Sequence, residues 1–105
     1  MLWYTLMVQP ERRIVKRIQE RITKRGGRCF KIHGGDNPFQ EVGIPDILAC
    51  YRGWFLGLEV KQPGEEPSLK QRKILNEIEA AGGIARVVST VAEVDRLLDK
   101  LDRKR

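Results

Sequence analysis

Two apolar runs, "PDILACY" (45–51) and "WFLGLEVK" (54–61), stand only two residues apart, joined by Arg52-Gly53. So short a joint predicts adjacent antiparallel strands, and that pairing brings the start of the first run and the end of the second to one end of a sheet. Asp46 opens the first run; Glu59 and Lys61 close the second. Strand side chains alternate, so Trp54, Leu56, Leu58 and Val60 share one face while Glu59 and Lys61 project together from the other. Charges in buried strands cost free energy unless compensated. Two carboxylates this close repel each other unless a hard cation such as Mg²⁺ lies between them. Gly57, on the Glu59 face, leaves room for a substrate or a neighbouring backbone. On these residues alone a surface Glu-Lys pair, with Asp46 capping a turn, is the competing explanation.

The other elements follow from periodicity and punctuation. "QPERRIVKRIQERITKRGG" reads as a helix with Pro10 in its first turn and Gly26-Gly27 past its end, its core stripe being Ile14, Val15, Ile18 and Ile22. At about 100° per residue, Glu11 falls within roughly 20° of Ile18, on that inward stripe. Either it is an acid favoured at a helix N-terminus or it has a function. "RCFKIH" (28–33) alternates like a strand, and 33–45, rich in Gly, Asn and Pro, forms a long loop. After the turn "KQPGEEPS", Ser68 and Gln71 make a capping box for a helix whose stripe is Ile74, Leu75 and Ile78. "IARVVS" (84–89) is a fourth strand. Thr90 with Glu93 caps a last helix with Val91, Val94, Leu97, Leu98 and Leu101 inward. The order α-β-β-β-α-β-α, with a crossover that makes the fourth strand parallel to the third, predicts a single α/β domain over residues 1–105, its mixed four-stranded sheet flanked by helices.

Net charge is +6, and its distribution is informative. Residues 1–31 hold nine Lys/Arg against Glu11 and Glu20, while the rest of the chain is close to neutral. A basic helix suggests an anionic partner, and Arg12, Arg13, Lys16, Arg17, Arg21, Lys24 and Arg25 are its candidate phosphate contacts; a solvated face is the alternative. Cys29 and Cys50 both lie in strand-like runs, which predicts buried free thiols and a reducing compartment. No apolar run approaches the roughly 20 residues of a membrane span, and "MLWYTLMV" lacks a leader's features. An intracellular protein is therefore expected. That N-terminal run suits an extra strand, core or an oligomer contact.

The conjunction of "GIPDI", "LEVK" and a capped helix opening with Gln71 resembles the PD-(D/E)XK nuclease superfamily, and within it the VRR-NUC family, whose stand-alone examples occur in bacteriophages. The resemblance runs from about Pro10 to Leu98. It implies a restriction-endonuclease-like fold and a Mg²⁺- or Mn²⁺-dependent endodeoxyribonuclease, often homodimeric and similar to Holliday junction resolvases. By the family's pattern Asp46 and Glu59 bind metal and Lys61 is catalytic. Glu11 matches the acid of the first helix and Gln71 the glutamine after the active-site strands, a place where capping is an equally sufficient explanation. The Val60 carbonyl is expected to help Asp46 and Glu59 hold the metal. Branched DNA is the expected partner, in host cytoplasm if the gene is a phage's. Nicking, flap or restriction-like cleavage, or a catalytically silent nucleic-acid-binding module, are the alternatives. His33, at a strand end, is either structural or a substrate contact.

Overall fold

In a computed structural model the described residues are 11–32 and 41–104. They form α1 (Glu11–Lys24), β1 (Arg28–Phe30), β2 (Ile47–Tyr51), β3 (Trp54–Val60), α2 (Leu69–Ala80), β4 (Ile84–Val88) and α3 (Val91–Lys104). The element order is the expected one. Pro10, His33, the "MLWYTLMV" run and the loop through residue 40 lie outside the described residues.

The sheet order is β1-β2-β3-β4, with β2 antiparallel to both neighbours and β3 parallel to β4. The β2–β3 turn is tight because Arg52 (φ 48°) and Gly53 (φ 86°) both take the left-handed conformation that a two-residue hairpin of this hand requires. Odd residues of β2 (Ile47, Ala49, Tyr51) and even residues of β3 (Leu56, Leu58, Val60) then face α1 and α3. With Ile14, Ile18, Ile22, Val94, Leu98 and Leu101 they form the main core. α2 covers the opposite face, where a Cβ on Gly57 would come within 2.7 Å of the Ile78 side chain and 3.4 Å of Pro45. The space beside Gly57 is therefore filled by α2 packing, not by substrate or neighbouring backbone.

Three expectations need correction. β1 stops at Phe30, which is 44% exposed: of the described residues of "RCFKIH", 28–32, three find partners on β2. Cys29 is half-buried but Cys50, on the thinly covered α2 face, is exposed; both are free thiols. Arg21 and Arg25 turn away from solvent to the aspartates of α3. Arg21 binds Asp95, and Arg25 reaches Asp95 (3.1 Å), Asp99 (2.7 Å) and Asp102 (3.0 Å). Asp102 also accepts from the Tyr51 hydroxyl at 2.7 Å. Tyr51, then Arg25 and Arg52, hold its carboxyl below the usual carboxylate range. These two arginines clamp α1 to α3 and are not free for phosphate. Arg25→Ala leaves three aspartates without their shared cation and should cost about 1–3 kcal/mol of stability, read as a lowered urea midpoint; an unchanged midpoint would show the clamp to be energetically idle.

Candidate active site

The hairpin register sets the site. Ile47 pairs with Leu58, so Asp46, one residue before β2, lies abreast of the end of β3. Lys61 N–H continues the β3–β4 ladder by donating to the Val88 carbonyl at 3.0 Å. Backbone groups alternate sides along a strand, so the polar groups of Val60 turn toward β2, beyond its first residue. There the Val60 N–H donates to Asp46 Oδ2 at 2.8 Å. The Val60 carbonyl points to the same side.

Glu59 is 1% exposed, and its Oε2 has no hydrogen-bond partner among the described residues. Burial first, then the hydrogen bond and charge of Asp46, push its carboxyl up to about 8, against a smaller opposing pull from Lys61. Lys61 is half-buried and its main chain is held on both sides, since Ser89 Oγ also donates to its carbonyl at 2.6 Å. Glu11, in the first turn of α1, stands near enough to feel both Lys61 and Asp46; burial chiefly raises its carboxyl, followed by a hydrogen bond with Glu65. The structure thus brings Asp46, Glu59, Lys61 and Glu11 together. Glu65, whose Oε1 accepts from Gln62 N–H at 2.8 Å, joins them from the turn after β3. It was missed because it reads as ordinary turn composition; the only hint was an acid four residues after Lys61.

Gln71 completes the predicted capping box, its Oε1 accepting from Ser68 N–H (2.8 Å) while its own N–H donates to Ser68 Oγ (3.1 Å). That box lies against the loop leading into Asp46. Gly43 has φ 95°, and a Cβ there would lie 2.9 Å from the Lys70 carbonyl. The glycine of "GIPD" therefore lets the loop pass over the first turn of α2.

The residues fit a divalent cation. A fully buried carboxylate oxygen without a partner is an open ligand position, and the donors around it are hard oxygens of the kind Mg²⁺ and Mn²⁺ take. Among the described residues no three His, Cys, Asp or Glu side chains are grouped as a metal cage. Asp46 and Glu59 are the two acids in hydrogen-bond contact at the Val60 end, which suits an ion that keeps several waters.

A mixed four-stranded sheet flanked by helices, with two acids and a lysine at the meeting ends of an antiparallel pair, is the restriction-endonuclease-like arrangement. No family model matches the sequence, and neither does any curated protein. A solved structure titled "VRR_NUC domain" does match, at TM-score 0.70 and 27% identity, covering 85% of this chain and 94% of that one. The resemblance carried by the motifs holds in the fold over most of both chains: the chain has the fold of a VRR-NUC domain, and the match supports a nuclease domain.

Glu59 also dictates a pH dependence. Its folded value lies above its unfolded one, so the metal-free folded state binds more protons than the unfolded chain between about 4.5 and 8. The contribution of Glu59 to stability in EDTA should be greatest below that window and be lost as pH rises through it; raised Glu11 acts in the same sense, while the lowered carboxyl of Asp102 acts in the opposite one. Glu59→Gln should flatten the dependence and raise the melting temperature at pH 8. Equal slopes for the two proteins would refute the assignment of Glu59 as a buried, unneutralised acid.

Proposed function

We propose that the chain is a Mg²⁺- or Mn²⁺-dependent endodeoxyribonuclease, selective for DNA structure and resembling a Holliday junction resolvase. The observation that carries this reading is the buried, partnerless Oε2 of Glu59 beside Asp46. Asp46, Glu59 and the Val60 carbonyl would hold the cation against the scissile phosphate, with Glu11 binding directly or through water. The bound ion supplies Lewis acidity, polarising the phosphoryl oxygen and acidifying the attacking water. Lys61, its backbone fixed by Val88 and Ser89, orients or deprotonates that water or offsets charge in the transition state. Gln71, through the amide nitrogen its cap leaves over, positions the water or Lys61.

Arg12, Arg13, Lys16, Arg17 and Lys24 remain exposed on α1 and are the phosphate contacts of this reading, without Arg21 and Arg25. Such contacts are blind to sequence and weaken with salt. No described helix is long and apolar enough to cross a membrane.

Symmetric cutting of a four-way junction requires two active sites, hence a homodimer, for which the apolar residues 1–8 are the candidate contact. Light scattering should find a dimer that becomes monomeric when they are deleted; a persisting dimer would reject that interface.

The deciding assay offers a labelled four-way junction and a matching linear duplex with Mg²⁺, Mn²⁺ or EDTA. Paired, metal-dependent cuts in the junction are expected. Lys61→Ala should retain metal binding by titration calorimetry and lose about 10²–10⁴-fold in turnover; full turnover in that variant would sink the mechanism.

A further inference from the structure

The charges of α3 are sorted by face. Asp95, Asp99 and Asp102 recur at helical spacing and face α1 and the hairpin, where arginines and Tyr51 bind them. One residue further along at each place, Arg96, Lys100 and Arg103 form a parallel stripe. They line an open cleft of about 460 Å³ between α3 and β4, whose wall also includes Arg86, Glu93 and Asp99.

A count of formal charges understates how positive this cleft is. Glu93 Oε1 accepts from Ser89 N–H (3.2 Å) and the Thr90 hydroxyl (3.3 Å), and Asp99 is held by Arg25. Arg86 is bound to Glu79 at 2.5 Å. Arg96, Lys100 and Arg103 are exposed and hydrogen-bond or pair with no group among the described residues. Three unsatisfied cations thus stand beside acids that are already engaged.

Among the described residues β4 is an edge strand, and its edge does not invite a peptide strand. Its outward N–H groups are those of Ala85, Val87 and Ser89, and the first and last already donate to Glu79 (3.0 Å) and Glu93 (3.2 Å). One residue links the wall of the cleft to the site. Ser89, bonded to Glu93 in its wall, is the residue whose hydroxyl holds the Lys61 carbonyl. From Arg96 to Arg103 the helix advances about 10 Å, which matches about three phosphates along one strand of a duplex.

We propose that the α3–β4 cleft is a second nucleic-acid contact, gripping the backbone of the DNA that flanks the scissile bond. This rests on the reading of the chain as a DNA nuclease and assigns that substrate a path: away from Lys61, past Glu93, along Arg96, Lys100 and Arg103.

The test is fluorescence anisotropy of the labelled junction and duplex with the full chain in EDTA, where cutting is suppressed, from about 50 to 200 mM salt. The variant Arg96→Gln/Lys100→Gln/Arg103→Gln alters only exposed side chains, and its circular dichroism serves as the folding control. It should bind at least about tenfold more weakly than wild type at low salt, and the slope of log affinity against log salt should flatten by about two to three. Arg96→Lys/Arg103→Lys should keep the wild-type slope. If wild type binds with a steep slope and the triple glutamine variant matches it, the cleft does not touch DNA, while the nuclease reading survives. If wild type binds neither DNA at any salt, the nuclease reading fails and the cleft assignment falls with it.

Discussion

The register of the β2–β3 hairpin is the constraint on which the rest of the molecule depends. It is set by two residues, Arg52 and Gly53, both at positive φ, and a non-glycine residue there costs about 1–2 kcal/mol. A slip of one residue would turn every side chain of one strand to the other face. Glu59 would then point among Ile14, Ile18 and Leu98, and Asp46 would lose the Val60 N–H that fixes it. Turn, core and carboxylate pair are therefore specified by one choice. The hydrophobic stripe on the α1–α3 side enforces it, because only this register buries Ile47, Ala49, Leu56 and Leu58 together.

The site is built against the stability of the metal-free chain. A carboxylate at 1% exposure beside a second carboxylate is unfavourable in the absence of a cation, and its carboxyl pushed up to about 8 expresses that conflict. The surrounding structure withstands it because the two acids hang from strands whose other face is fully buried. Lys61 offsets part of the charge at a position its backbone cannot leave, since both its N–H and its carbonyl are bonded to the β4 end of the sheet.

Much of this was legible in the sequence. Helical and alternating periods gave the element order, and the two-residue joint gave the antiparallel pair, so Asp46, Glu59 and Lys61 could be placed together before any coordinates. What failed were judgements that need a third dimension. A helix wheel puts Arg21 beside the apolar stripe of α1 and Arg25 in line with it, but does not show that a helix seventy residues later presents Asp95, Asp99 and Asp102 to them. The near-neutral sum over residues 32–105 likewise concealed the stripe of Arg96, Lys100 and Arg103, because the acids that cancel it numerically sit on another face. Gly57 signalled a close approach correctly, but glycine does not say what approaches, and the neighbour is Ile78. Cys50 alternates in register yet is exposed, because α2 leaves that part of its face open.

The aspartates of α3 also set an order of events in synthesis. Tyr51, Arg52 and Arg25 all converge on Asp102, and Arg21 on Asp95. Val94, Leu98 and Leu101 close the core over α1 and the hairpin. A nascent chain that has emerged only through β4 thus holds a formed hairpin with one oily face uncovered and a cluster of arginines lacking counter-charges. Cooperative folding has to await the emergence of α3, and a chain broken off before that helix would be a sticky, cationic fragment instead of a smaller working domain.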